Sequence, residues 1–405
     1  MTAPVAVVFG MLEHGHIKRL LPIIAGLSKA GVRTHVFVDA RFREEIEAAR
    51  GCFHDLFAGR PLEAADATSV PIPCRYVSFA GHFADAVTSE VEALHPTLVV
   101  HDTFAVIGAV VARRLGLPRV NVCVGHNHAP GPMLEILRHD PRVAISEACW
   151  RAVERLRERE QMPDASPFSY LAALSPLLNL YCEPPQFLCE NERQVFEPLA
   201  FVGSLALSTI ARPPSPISPF GADASFRERI YVCVGTIVWR YYEVAARGLL
   251  ESVREAVESL PDVTAIVSLG RAKPGAWVRR LDHPRLRVES FVDQWNVLGH
   301  ASVFITHQGL NSTHEAIYRG VPMIAYPFFA DQPMLARRCQ ELGLAVPLVA
   351  EPRGRVAAED VCRALARVAE ERESLRERLR QARQWELDTI ASRDLVIARV
   401  LALLS

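Results

Sequence analysis

Residues 304–332, FITHQGLNSTHEAIYRGVPMIAYPFFADQ, constrain this chain more than any other stretch. The apolar run at 301–306 reads as a buried strand. A tight polar turn follows, His307-Gln308-Gly309-Leu310-Asn311-Ser312-Thr313. Glu315, Ala316, Ile317 and Tyr318 then read as helix, Arg319-Gly320 closes it, and 321–327 reads as a second strand. Strand, polar turn, helix, strand is a βαβ unit. The start of such a helix carries free N–H groups and the positive end of the helix dipole, which suits a phosphate. Gly309 lets a backbone approach a ligand closely. A plainer reading stands beside this one. Ser312-x-x-Glu315 is a capping box, and Asn311 is a good cap or turn residue. A cap does not explain His307 at the carboxyl end of one strand, nor Asp331-Gln332 after the next. In an open α/β sheet those are the positions where ligands sit.

The rest of the chain repeats the pattern. Residues 5–9 form a short apolar run of the kind buried on both faces of a parallel sheet, and Gly10 to His16 turns it into a helix over 17–30. Strands are expected at 34–38, 97–100, 117–124, 198–203, 229–234, 263–268, 286–288, 290–292, 303–306, 321–326 and 345–349. Helices are expected at 41–50, 80–94, 105–115, 147–160, 242–260, 312–319, 335–342 and most of 357–404. Residues 168–181 read as apolar and irregular. At 212–224 the sequence RPPSPISPFGADA has the composition of an extended linker. The first turn lacks G-x-G-x-x-G, so no dinucleotide fingerprint is present. Two open α/β halves in series place a cleft between them.

Composition narrows the function classes. A chain of 405 residues is long enough for two or three domains, and a net charge of −1 gives no bulk attraction to nucleic acid or anionic membrane. The nine cysteines are scattered without C-x-x-C, which fits reduced thiols in a cytoplasm rather than a disulfide framework or zinc site. The N-terminus lacks the features of a signal peptide. No run of about eighteen apolar residues predicts a membrane span.

His16 stands at a helix start after a strand, where a neutral imidazole suits general-base chemistry near neutral pH. Such a base needs a partner that fixes its tautomer, and Asp102 ends another strand of the same half. A helix-start histidine and a turn aspartate without function fit these positions equally well. His14 competes for the base role. His126 and His128 form a second pair, read as pocket lining or a polar loop, since no cysteine or carboxylate at ligand spacing supports a metal.

Residues 291–332 resemble the nucleotide-sugar-binding segment of the inverting UDP-dependent glycosyltransferases of GT-B fold, which include bacterial macrolide and carotenoid enzymes. The match runs through Phe291-Val292-Asp293-Gln294, Val297-Leu298, His300, His307, Gly309, Asn311-Ser312, Glu315, Gly320-Val321-Pro322, Pro327 and Asp331-Gln332. Gly15-His16 and His101-Asp102-Thr103 are similar to the family's two catalytic positions.

The resemblance implies two Rossmann-like parallel-sheet domains facing a cleft. These would be an acceptor domain at 1–205, a linker at 206–225, a donor domain at 226–381, and a C-terminal helix at 382–405 that packs back on the first domain. It implies His16 as base, oriented by Asp102. It assigns the diphosphate to His307, Gly309, Asn311, Ser312, Gly235 and Thr236, the base and ribose to Phe291, Val292, Gln294 and Glu315, and the sugar to Asp331 and Gln332. Acceptor contacts are expected from His14, His82, His126, Asn127 and Trp239. Asp293 stands where the family has proline, and Gln308 where it has a small residue or cysteine.

The expected activity is transfer of a hexose, glucose first, from a UDP-sugar to a hydroxyl of a small apolar natural product. The product is a β-glycoside, and neither metal nor cofactor takes part. A dTDP-deoxysugar donor is the alternative, and a nucleotide-sugar epimerase or a non-catalytic sugar-nucleotide-binding helper is the alternative of another class. A monomer or homodimer in the cytoplasm is expected.

Overall fold

The computed structural model describes residues 3–68, 70–127, 130–171, 173–221 and 226–404. The chain divides into two compact units, Met1–Leu207 with Asp388–Ser405, and Ser208–Leu387. Each is built on a sheet whose strands are short, apolar and parallel, because both faces are covered by helices.

The first unit contains β1 (Val5–Phe9), β2 (Arg33–Val38), β3 (Cys52–Asp55), β4 (Leu98–Asp102), β5 (Arg119–Cys123), β6 (Asn179–Tyr181) and β7 (Leu199–Phe201). Their order is β3-β2-β1-β4-β5-β6-β7, and every pair is parallel. All five residues of β1 and all five of β4 are buried. From β1 the chain steps outward to β2 on one side, while β4 lies on the other. The carboxyl ends of β1 and β4 therefore flank the crevice where the winding reverses, the ligand position of open α/β sheets. Residues from Asp388 onward complete this unit. Val396, Ile397 and Val400 of helix Arg393–Leu401 join its core. Gly26 makes room for Ile397, since a Cβ there would come 2.7 Å from its side chain. Arg393 donates to the carbonyls of Val202 (2.6 Å) and Leu205 (2.5 Å), and Arg399 to that of Leu199 (2.7 Å).

The second unit contains β8 (Glu228–Cys233), β9 (Val263–Ser268), β10 (Leu286–Glu289), β11 (Val303–Thr306), β12 (Met323–Ala325) and β13 (Ala345–Pro347). Their order is β10-β9-β8-β11-β12-β13, again parallel throughout. The reversal here falls between β8 and β11, whose last residues Cys233 and Thr306 stand opposite each other in register. Two Rossmann-like parallel sheets, one in each unit, are what the sequence predicts.

Several local expectations are corrected. Residues 290–292 form no strand, and β6 lies in the stretch read as irregular. Helix Cys74–Glu92 begins six residues earlier than expected at 80. The Pro-rich 212–221 segment is pinned to its own unit rather than free. Trp295 Nε1 donates to the Arg212 carbonyl (2.8 Å), Ser215 N to Asn296 (2.7 Å), and Arg287 to the Pro219 carbonyl (2.9 Å). Residues 222–225 of the expected linker, and His128, lie outside the described residues. All nine cysteines are free thiols. Among the described residues no helix is long and apolar enough to cross a membrane.

Candidate active site

In the first unit, helix His14–Lys29 follows β1 directly, so His16 sits in its first turn. Asp102 is the last residue of β4, the strand beside β1. The switch point thus joins two residues 86 positions apart: His16 Nδ1 donates to Asp102 Oδ2 at 2.8 Å. The other oxygen, Oδ1, accepts from Phe104 N at 2.8 Å, and the imidazole rests on the Phe104 ring with centroids 4.8 Å apart. Asp102 is fully buried, while the His16 side chain keeps 19% of its surface exposed. A proton on Nδ1, required by the carboxylate, leaves Nε2 as the basic nitrogen. Burial alone lowers the His16 pKa. The charge and hydrogen bond of Asp102, with Glu13 adding to them, outweigh that effect and raise it above the ordinary 6.5. Glu13 is itself held by Arg75 (2.7 Å) and the Tyr76 hydroxyl (2.7 Å).

The other first-unit candidates are placed differently. His14 is exposed beside the Phe42 ring. His82 Nδ1 accepts from Arg155 at 2.8 Å, and burial and that guanidinium lower its pKa. His126 is turned inward, 2.8 Å from the buried carboxylate of Glu183, so it lines no open surface. Asn127, at φ +43°, donates its backbone N–H to the Tyr181 hydroxyl (2.7 Å) and its amide to Glu192 (2.6 Å). Among the described residues no group of three or more His, Cys, Asp or Glu could hold a metal ion.

In the second unit, Gly235-Thr236 follows β8 and His307 follows β11, again across the switch point. His307 Nδ1 donates to the Cys233 carbonyl at 3.3 Å. Its Nε2 points between two glycines. A Cβ on Gly235 would come 2.6 Å from Nε2, and one on Gly309 2.3 Å, so both positions exclude a side chain. Burial lowers the His307 pKa to about 4, against the raising effects of the Cys233 carbonyl and Asp331. The ring is neutral at pH 7 with its proton on Nδ1.

Gln308, which stands where the resembled family has a small residue or cysteine, forms the turn. It adopts φ +58°, is fully buried, and accepts at Oε1 from the Thr313 hydroxyl (3.0 Å). That left-handed residue reverses the chain so that Gly309 caps helix Leu310–Arg319, which ends at Gly320 in the left-handed conformation. The N–H groups of Leu310, Asn311 and Ser312 open the helix without intrahelical acceptors.

The capping-box reading is corrected by this start. Ser312 is the third helical residue, and its hydroxyl meets Gln294 instead. Gln294 Nε2 also donates to the buried Glu315 carboxylate at 2.8 Å, and its Oε1 accepts from the Tyr231 hydroxyl at 3.3 Å. Phe291 is 55% exposed and Val292 half-buried. Asp331, half-buried, precedes helix Gln332–Glu341. The Gln332 side-chain carbonyl accepts from the N–H groups of Phe328 (2.9 Å) and Phe329 (3.3 Å). Trp239 stacks on Trp277 at 5.8 Å and packs on the core of its own unit.

One residue escaped the sequence reading. His314, fully buried on helix Leu310–Arg319, pairs with the equally buried Glu386 of helix Arg372–Ala391. The signal was present: a histidine stands on the apolar stripe between Leu310 and Ile317.

Residues 222–380 match the family model described as UDP-glucoronosyl and UDP-glucosyl transferase. The chain is 24% identical over 384 residues to the NDP-glycosyltransferase YjiC of Bacillus subtilis (strain 168), covering 89% of this chain and 88% of that one. Among solved structures, the glycotransferase of kitacinnamycin superposes with a TM-score of 0.76 at 21% identity, over 98% of this chain and 100% of that one. The spinosyn rhamnosyltransferase SpnG complexed with thymidine diphosphate gives 0.64 at 19%, over 97% and 99%. The second unit of this GT-B chain is a domain of the UDP-glucoronosyl and UDP-glucosyl transferase family.

Proposed function

We propose that the protein is a metal-independent, inverting glycosyltransferase. In this reading it moves a hexose, glucose first, from a UDP-sugar to a hydroxyl of a small apolar natural product in the cytoplasm. The donor binds the second unit and the acceptor the first. The observation that carries the reading is the His16–Asp102 pair, a buried carboxylate that fixes the tautomer of a histidine at a sheet's switch point. His16 Nε2 takes the proton of the acceptor hydroxyl as its oxygen forms a bond to the anomeric carbon. The bond from that carbon to the diphosphate breaks, and its electron pair leaves with the nucleoside diphosphate. Asp102 stays ionised and stabilises the imidazolium. A single displacement from the face opposite the leaving group turns an α-linked donor into a β-glycoside. The N–H groups opening helix Leu310–Arg319, with His307, Asn311, Ser312 and Thr236, stabilise the departing charge. Glu315 and Gln294 hold the ribose, Phe291 stacks on the base, and Asp331 with the Gln332 amide holds the sugar hydroxyls.

A dTDP-sugar donor is the second reading, favoured by the likeness to a structure complexed with thymidine diphosphate. Glu315 favours UDP, because its carboxylate, already held by Gln294, suits a ribose with two hydroxyls. The test is a mass-spectrometric screen of UDP-glucose, other UDP-hexoses and dTDP-sugars against phenolic and polyketide acceptors. Adducts from UDP-glucose, lost in His16→Ala, are expected. Transfer from dTDP-sugars alone would sink the UDP assignment, full transfer by His16→Ala would remove His16 from the base role, and binding without transfer from any donor would return the chain to the class of non-catalytic binders.

A further inference from the structure

Beyond β9, Leu269 leads into two consecutive left-handed residues, Gly270 (φ +58°) and Arg271 (φ +72°). Glycine adopts that conformation freely, whereas arginine does so against a steric penalty, and such outliers concentrate where a ligand is held. Hydrogen bonds maintain the turn. Leu269 N donates to the Glu289 carbonyl (2.9 Å), Arg271 N to that of Ser290 (2.7 Å), and Ala272 N to that of Leu269 (2.9 Å). The turn also abuts the His307 site, because a Cβ on Gly270 would come 2.4 Å from the Gly235 carbonyl oxygen.

The enforced backbone aims the Arg271 side chain at Phe291. Its guanidinium lies over that ring, 4.6 Å from the centroid, and Phe291 is itself 55% exposed. Neighbouring arginines have carboxylates: Arg212 pairs with Asp293 at 2.8 Å and Arg287 with Glu289 at 3.2 Å. Arg271 has no such ion pair among the described residues and rests on an open aromatic face instead. A flat cation and a flat exposed ring stacked together offer what a nucleobase uses, a polarised planar surface that accepts any π-face.

We propose that Arg271 is a nucleobase-binding residue of the donor site, its guanidinium forming a three-layer stack with the Phe291 phenyl and the pyrimidine of the bound nucleotide. This rests on the donor reading above and adds a residue to it. A stack touches faces rather than edges, so Arg271 treats uracil and thymine alike and leaves the choice between them to the ribose contacts.

Calorimetric titration of the full chain with uridine, UDP and UDP-glucose tests the assignment. Arg271→Ala is expected to weaken all three by the same factor, about tenfold. Arg271→Lys, which keeps the charge but loses the plane, recovers only part of it. His307→Ala, by contrast, weakens UDP and UDP-glucose while sparing uridine. Loss of UDP affinity with uridine unchanged would show that Arg271 grips the phosphates, and unchanged affinity for all three would show that it grips nothing; either result overturns the stack while leaving the donor reading in place. A wild-type chain that binds no pyrimidine nucleotide overturns the donor reading and the stack together.

Discussion

His16 and His307 occupy corresponding places, each just past the carboxyl end of a strand at a switch point, and their surroundings drive them apart. Burial lowers both. The hydrogen-bonded Asp102 carboxylate reverses that at His16, whose pKa rises above 6.5, whereas the Asp331 charge does not at His307, whose pKa falls to about 4. As a base, His16 works once its proton has left. The kcat/KM profile should therefore rise with pH along a limb whose midpoint lies above 6.5. Asp102→Asn removes the raising charge and keeps the burial, so the limb should move toward acid while kcat falls by about 10² to 10⁴. A limb that stays in place would separate Asp102 from the base. Stability runs in the opposite sense. The raised pKa contributes stabilisation that is fully present below pH 6.5 and lost as pH rises through the folded value. His307 makes a second prediction. Its proton sits on Nδ1, so a phosphate oxygen at Nε2 requires another. Binding of UDP-glucose, whose phosphates lose no proton near neutrality, should take up about one proton, read as a buffer-dependent binding enthalpy that vanishes in His307→Ala. A wild-type enthalpy independent of buffer would place the phosphates away from Nε2. The residue types were legible in the sequence; the tautomers and directions of shift were not, because they depend on partners brought in from other strands.

Helix Leu310–Arg319 carries the proposed donor contacts on its first two turns and a buried histidine–glutamate pair behind them. Its existence followed from the sequence pattern, and its start did not. Ser312 qualifies as a cap by residue type, but the left-handed Gln308 turn, held by Thr313, begins the helix two residues earlier. The apolar stripe concealed His314 as well, because its partner Glu386 lies far along the sequence, on helix Arg372–Ala391. His314→Leu leaves a fully buried carboxylate uncompensated and should cost about 3–5 kcal/mol in denaturant unfolding. The double variant with Glu386→Leu should recover most of that. If the double variant is as unstable as the single, the pair is not the interaction lost.

At the scale of the molecule, each unit has a core of its own, and the chain's last helix belongs to the first unit. A chain ending at Ala391 loses Val396, Ile397 and Val400 from that core, a destabilisation of roughly 5 kcal/mol for the first unit. UDP affinity should persist, because every residue of the proposed donor site lies in the second unit. Thermal unfolding and calorimetry on the truncated chain check both halves of this statement, and simultaneous loss of nucleotide binding would refute it.

The sequence by itself determined the class of sheet and the strand ends at which its polar residues gather, and it singled out residues 304–332. Strands covered on both faces must be continuous short apolar runs, and the polar residues that interrupt them fall at their ends. Only the tertiary structure decided which ends meet. Strand order is set by how crossovers pack, which no local pattern records, and that order joined His16 to Asp102 and His307 to Gly235. It also turned His126 inward to Glu183, fastened the 212–221 segment to its unit, and set Arg271 over Phe291. Each of these depends on residues distant in sequence, and their energies come from burial and charge that exist only once the sheet has formed.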